Sequence, residues 1–554
     1  MFDFLNLKLL NFISTDNHFR RLVAKVFNNE YIWLALILLL GLVLRLINLG
    51  AEPYWGDEIL SLDIARHFYK LTDLISYLRV VEVHPPLYYL LLHYWTWWFG
   101  ISEFAVRSLS VIFGLGVIVM VNLLTKSLFP FQRWLRLLVS LLVAILPIQI
   151  EFSQEARPYI IFAFFGLLAT LGLWQWLERR QWKNIAVYVL SITLGLYLHY
   201  SFILFLLACA SYWLINIIFI KRQQVAKQIV YWLITHFVIF LLFYWWFSTF
   251  LYKTIFLGQY AIFYIERSYH GALKSLGFFE SIISQLIWFS KDKPTESLVV
   301  VVILIFKILV IWFLVSLLIN RQSSVSLAAN DNQLTKFLFI SWLFFIPIIL
   351  FIFTPQSISY TPTYYRHIII SSAFVVLLLS ILLINLTVRK RMILLFIFLG
   401  SLIPFLVTVE GNDEVWDRQH RIKEVAVYVN DNYRSGDLVL VAIESFRSDF
   451  NHFLKPEIEA VSLYPVNFYG FDFLNSRETL GLIENEMQLR VMVPSKFELA
   501  DKLTRLINIK KASRVWLVYF DSKSPVYQWF DQHGWRHAFY AIGDLFPLDL
   551  YSLK

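Results

Sequence analysis

The run Leu87-Tyr88-Tyr89-Leu90-Leu91-Leu92-His93-Tyr94-Trp95-Thr96-Trp97-Trp98-Phe99, entered through His84-Pro85-Pro86, decides how this chain folds. It is apolar enough for a bilayer, but a crossing helix needs about twenty residues and this run is far shorter. Read as a non-crossing or re-entrant helix, it leaves spans at 31–49, 104–126, 135–152, 158–177, 184–199, 201–220, 229–250, 298–319, 336–354, 366–388 and 392–409, eleven in all. The loops with Lys126, Arg133 and Arg136, with Arg179, Arg180 and Lys183, with Lys221, Arg222 and Lys227, and with Arg389, Lys390 and Arg391 then all face the cytoplasm. If the short run crossed, every one of them would lie outside, against the positive-inside rule. The nearly unbroken apolar stretch 184–220 is about twice a bilayer core in length and basic at both ends, so it reads as a hairpin turning at His199-Tyr200-Ser201.

Composition agrees. Of 554 residues, 58% are hydrophobic and 18% aromatic, with a mean hydropathy of +0.62, the profile of a multi-span membrane protein. The formal charge of +9 comes from basic residues in short loops, where they orient the protein, and does not indicate nucleic acid. A single cysteine, Cys209, excludes an intramolecular disulfide and a cysteine-based metal site. Residues 1–30 carry Lys8, Arg20, Arg21 and Lys25 with no short apolar core before a cleavage site, so they read as a cytoplasmic segment ahead of the first span. Arg45 lies near the far end of that span, where it can snorkel to the interface.

This topology puts the polar motifs on one face, outside the cytoplasm. They are Asp57-Glu58, His84, Gln154-Glu155-Ala156-Arg157-Pro158-Tyr159, His199-Tyr200 and Tyr364-Tyr365-Arg366-His367. The first external loop covers 50–103. Within it Leu60, Ile64, Phe68, Leu71, Ile75 and Leu78 recur at helical spacing over 59–79, which suits an interfacial helix. The stretch 251–297 reads as a long external loop. Beyond about residue 410 the pattern changes to short β runs, such as Leu438 to Val441, Val491 to Val493 and Val515 to Phe520. Helical patterns at 417–433, 496–510 and 524–533 alternate with them. Residues 411–554 therefore read as a small extracytoplasmic α/β domain, with no phosphate loop and no nucleophile elbow.

Carboxylates and arginines at a membrane surface suit one chemistry in particular. Arginine holds phosphate bidentately and stays charged when buried, and a carboxylate can take a proton from a hydroxyl. Together they fit transfer of a group from a lipid-linked phosphate. Plainer readings stand beside this one. Asp57 and Glu58 can simply favour a helix N-terminus. Arg107 can anchor a span at the interface, and Arg157 can pair with Glu155 or Glu151. Tyr364, Tyr365 and Arg366 can form an interfacial belt, and His199 can merely shape a turn. Trp95 to Trp98 and Tyr244-Trp245-Trp246 read as interface anchors. Glu82 and His84 are the candidates for a divalent metal ion, and the sequence calls for no other cofactor.

The order of motifs is more specific than any one of them. Asp57-Glu58, His84-Pro85-Pro86-Leu87-Tyr88-Tyr89, Arg107-Ser108-Leu109-Ser110, Gln154 to Tyr159, Leu198-His199-Tyr200 and Tyr365-Arg366 together resemble the GT-C superfamily of membrane glycosyltransferases. The resemblance is strongest to the branch of protein O-mannosyltransferases and lipid A aminoarabinose transferases, and it covers roughly 31–410. It implies a plasma-membrane enzyme, in bacteria of the inner membrane, that moves a monosaccharide with inversion from a polyprenyl-phosphate donor to a glycan, lipid or protein acceptor. It makes Asp57 the general base and Glu58 its acidic companion. Arg107, Arg157 and Arg366 become phosphate ligands, with His84, Tyr159, His199, Tyr200 and Tyr365 lining the substrate. A transporter or flippase of lipid-linked sugars is the rival class, and an inactive scaffold on the same fold is a third reading. A transporter would distribute polar residues through its spans, whereas here charge gathers at one face.

Overall fold

A computed structural model describes residues 29–67, 70–80, 84–220, 224–272, 331–352, 369–384, 414–464, 496–518, 525–542 and 546–553. The chain divides into two units, one of residues 1–51 and 64–410, the other of residues 52–63 and 411–554.

In the first unit, α1 (Glu30–Leu46) starts on Asn29, whose side chain accepts the Tyr31 N–H. The run read at 59–79 as one helix is two, α2 (Gly56–His67), whose residues up to Asp63 belong to the second unit, and α3 (Leu71–Val80). The Lys70 carbonyl accepts from Asp73 and Leu74, and an acid sits in the first turn of α3, so a new helix starts there. The short aromatic run is α4 (Leu87–Phe99), a single helix that stops where Gly100 takes φ +82. Then follow α5 (Glu103–Leu128), α6 (Arg133–Ile145), α7 (Pro147–Gln154), α8 (Tyr159–Arg179), α9 (Trp182–Leu198) and α10 (Phe202–Ile215), which runs into a π turn over Asn216–Ile220. Three more complete the unit: α11 (Val225–Ala272), α12 (Asp331–Ile352) and α13 (Ile370–Ile384).

Among the described residues, four helices are long and apolar enough to cross a membrane: Glu103–Leu128, Tyr159–Arg179, Phe202–Ile220 and Val225–Tyr252. The stretch read as one span at 135–152 is α6 and α7, bent by 54° where Pro147 opens the second helix. The expected loop at 251–297 begins as helix instead, because α11 continues to Ala272 through residues that include no proline. The spans expected at 298–319 and 392–409 lie outside the described residues.

Close backbone approach holds the helices together. A Cβ at Gly172 would lie 2.8 Å from the Tyr188 nitrogen and 2.9 Å from the Asn184 carbonyl, so α8 and α9 pack almost backbone to backbone. Buried polar side chains bond across helices, Asn122 to Ser140 at 3.0 Å and Gln149 to Ser372 at 2.7 Å. Arg136 pairs with Glu30.

The second unit carries a five-stranded sheet in the order β2-β1-β3-β5-β4, from β1 (Leu438–Ile443), β2 (Ala460–Tyr464), β3 (Arg514–Val518), β4 (Arg536–Ile542) and β5 (Phe546–Ser552). The first three strands are parallel, and β5 and β4 add antiparallel. On one face, Val439 and Val441 meet α14 (Glu414–Asn432) and α15 (Glu444–Phe453). On the other, Leu438 and Leu440 meet α16 (Lys496–Lys510) and α17 (Pro525–Gln532). Helices on both faces explain why β1 reads as an unbroken apolar run rather than an alternating one.

Candidate active site

The motif after α7 forms an extended elbow. Glu155 has φ −98 and ψ 137, and Pro158 caps α8 by accepting the Phe162 N–H at 2.9 Å. Proline keeps the residue before it out of the helical region, so Arg157 is held in the connection, just ahead of the positive end of α8. The elbow is tied down from α5, where the Ser110 hydroxyl donates to the Glu155 carbonyl at 2.6 Å. Gln154 donates to the Ile47 carbonyl at 2.8 Å, fixing the elbow to the end of α1.

From this elbow a row of side chains runs through the first unit. The Arg157 guanidinium, 3% exposed, lies 5.8 Å from the centre of the Tyr159 ring. That ring is 5.9 Å from His199, and His199 is 5.2 Å from His84. His199 closes α9 in extended conformation, and its Nδ1 accepts the Ser201 N–H at 3.1 Å. The neutral imidazole therefore carries its proton on Nε2 and offers a donor there. Cation, phenol and two imidazoles in sequence suit an anionic, hydroxyl-rich ligand.

Arg107 sits differently. Its Nη1 donates to the Leu49 carbonyl at 3.0 Å, so at least one arm anchors the chain after α1. Tyr200 accepts the Trp246 indole N–H at 2.9 Å. Trp246 is fully buried, whereas Tyr244 and Trp245 are exposed, because helical rotation turns only one of the three inward. The interface-anchor reading of that run thus fails at Trp246. Arg79 on α3 lies over Trp245 at 4.7 Å and over Trp246 at 5.6 Å. Beside Tyr200, a cavity of about 130 Å³ is walled by Leu196, Ile203, Ile239 and Phe250, with His236 in its lining.

Asp57 and Glu58 belong to the second unit, as the first turn of α2. Glu58 is fully buried and Asp57 nearly so. The Trp55 carbonyl accepts from Glu58 and Ile59, and the Glu58 carboxylate accepts back from the Trp55 N–H at 3.3 Å. Glu58 thus takes the reciprocal position of a capping box, while the Ser61 hydroxyl locks onto the Asp57 carbonyl at 2.7 Å. Glu82, Tyr365 and Arg366 lie outside the described residues. Among the described residues, no three of His, Cys, Asp and Glu gather as a metal set.

Sequence reading also missed Arg45. It is fully buried rather than at the interface, and it donates to Ser153, Gly41 and Ala144. The available signal was a pair of small residues facing it, Gly41 and Gly114, which leave it room.

No family model matches the sequence, and no curated protein matches it. Solved structures do. ArnT from Cupriavidus metallidurans in the apo state matches with a TM-score of 0.55 and 13% identity, over 94% of this chain and 97% of that one. The same protein bound to undecaprenyl phosphate matches at 0.52 and 13% identity, over 94% and 98%. This chain shares the fold of those structures. An oligosaccharyltransferase from Archaeoglobus fulgidus, tethered to an acceptor peptide, also matches, at 0.50 and 10% identity over 89% of this chain and 69% of that one. Among the described residues, four helices long and apolar enough to cross a membrane fit an integral membrane protein.

Proposed function

We propose that this protein is an inverting glycosyltransferase taking a monosaccharide from a polyprenyl-phosphate donor to an acceptor on the extracytoplasmic face. The observation that carries the reading is the row Arg157, Tyr159, His199 and His84, a buried cation with hydrogen-bonding rings at the ends of apolar helices. Charge in such a place is costly and collects at ion pairs, ligand sites and proton relays. In this reading the acceptor hydroxyl attacks the anomeric carbon and the bond from that carbon to the phosphate oxygen breaks. The lipid phosphate departs as a monoester. Asp57 takes the hydroxyl proton, and Glu58 sets the position of its helix start. Arg157, with Arg107 and Arg366, stabilises the charge that grows on the phosphate. Tyr159, Tyr200, His199 and Tyr365 line the sugar and phosphate, and the apolar cavity beside Tyr200 suits the start of an isoprenoid chain. Glu82 with His84 is the pair a divalent ion would use, and no step depends on it.

The test offers radiolabelled polyprenyl-phosphate mannose, glucose and aminoarabinose to the purified protein in lipid, with a membrane extract as acceptor source. Release of lipid phosphate is followed with Asp57→Asn alongside. One donor is consumed, and Asp57→Asn abolishes consumption while still binding that donor. If donor binds to the wild type and is never consumed, the chain is a carrier or scaffold and the proposal fails.

A further inference from the structure

The first turn of α2 is built as a rigid piece. Capping between Trp55 and Glu58 and the Ser61 bond to Asp57 leave little freedom between residues 54 and 61. Whatever fixes Tyr54 therefore fixes the two carboxylates that follow it. Tyr54 is 1% exposed, and its ring meets that of His452 edge to face, with centroids 5.4 Å apart at 79°. His452 lies in the last turn of α15, and the residues on either side of it are tied down. The Asn451 side chain bonds the start of β2, accepting from the Ala460 N–H at 2.8 Å. The Phe453 carbonyl accepts from Asn430 of α14 at 2.9 Å, and the Asn430 carboxamide oxygen takes the Lys455 N–H at 2.9 Å.

From this geometry we infer that the α/β sheet unit is a positioning device for the acidic pair, acting through the Tyr54–His452 contact. The sequence had left that domain without a role. The inference rests on the reading of Asp57 as base only for its kinetic consequence. Its structural core, that His452 immobilises residues 54–63, stands apart from any activity. His452 is a positioning residue here and touches no reacting atom.

The test uses the full chain in lipid nanodiscs and three variants, His452→Ala, Tyr54→Leu and His452→Phe. Hydrogen exchange over 54–63 is measured together with donor binding and turnover. Loss of the ring contact in His452→Ala and in Tyr54→Leu raises exchange in that segment and lowers turnover about tenfold, with donor affinity unchanged. His452→Phe keeps a ring in place and restores both. Two substitutions from opposite sides guard against one of them failing to fold. The inference is overturned if neither variant changes exchange over 54–63, or if turnover holds in both while Asp57→Asn is dead. If Asp57→Asn is as active as the wild type, the base assignment falls instead, and the exchange result alone judges the contact.

Discussion

Arg45 of α1 donates through Nε to the Ser153 hydroxyl on α7 at 3.0 Å, and through Nη1 to the carbonyls of Ala144 and Gly41 at 2.9 and 3.0 Å. The guanidinium thus sits where α6 breaks into α7 and satisfies a carbonyl that the bend leaves unpaired. Arg45→Met should leave the Ala144 carbonyl at the bend buried without this donor and cost about 1–3 kcal/mol. Arg45→Lys keeps the charge but lacks the planar fork that spans the separate acceptors on α1, α6 and α7, and should recover only part of the loss. Gly114→Ala should match Arg45→Met, because its methyl would fall 2.2 Å from the Ser153 hydroxyl and 2.9 Å from Arg45 Nε. Thermal unfolding in detergent measures all three. An unchanged Arg45→Met would mean the network does not stabilise the bend.

Arg157 should act on affinity more than on structure. If it holds the lipid phosphate, Arg157→Gln weakens binding of polyprenyl phosphate about tenfold or more, since a charge-assisted bond in a buried site is lost. Arg107→Gln should lower both affinity and stability, because one arm of Arg107 serves the Leu49 carbonyl while the rest of the guanidinium is read as reaching the phosphate. His199→Phe should keep the ring packing against Tyr159 and His84 but remove both the Nε2 donor and the acceptor of the buried Ser201 N–H, lowering turnover and also stability by about 1–3 kcal/mol. Donor binding by calorimetry, beside melting curves of the same variants, separates these outcomes. An Arg107→Gln variant that melts lower but binds donor like the wild type would remove Arg107 from the phosphate and leave it a structural anchor.

The helices were legible because their apolar runs are long and the loops between them carry charge. The thirteen-residue α4 was legible by its length alone, and Gly100 marks its end. The inward turn of Arg45 was not, since a lone arginine near a span end has the same sequence signature whether it snorkels out or bonds within. Only packing against Gly41 and Gly114 distinguishes the two. Trp246 was misread for a related reason, because three adjacent aromatics look alike until the helix phase selects one. The meeting of Arg157, Tyr159, His199 and His84 joins residues far apart in the chain, and no local pattern encodes it. In the sheet, β1 announced itself by Leu438 to Val441. Strand β4, which opens on Arg536 and His537 and mixes Ala538 and Ala541 with the adjacent Phe539 and Tyr540, carried no comparable signal.

Orientation is open to direct labelling, since the chain has a single cysteine, Cys209, and it is buried. Phe131, between α5 and α6, is 99% exposed and lies among the basic residues that read as cytoplasmic. Ile101, after α4, is also exposed and belongs to the loop read as external. In intact cells a membrane-impermeant maleimide should label Ile101→Cys and spare Phe131→Cys, which should react only after permeabilisation. The reverse pattern would invert the topology and put the acidic pair in the cytoplasm. A nucleotide-linked donor would then be the substrate to test.

The second unit should weaken at alkaline pH through Tyr551. Its ring is stacked on Phe530 and His537, at 4.5 and 4.7 Å. Burial, then the nearby charges of Asp531 and Asp549, push its hydroxyl well above the usual range for tyrosine. The folded state therefore keeps the proton after the unfolded chain has released it. The associated stability is complete below about pH 10, the ordinary value for the free side chain, and is lost as pH rises through the higher folded value. Subtilisin cleavage within residues 525–553 should thus accelerate between about pH 8 and about pH 10.5, once the protease's own pH dependence is removed. Tyr551→Phe has no proton to lose, so its cleavage should accelerate less, although the two proteins behave alike at the lower pH. Equal acceleration in both would mean that another group governs the alkaline loss. Tyr433 is the next to test, because burial, with Asp437 and Glu457 nearby, raises it as well.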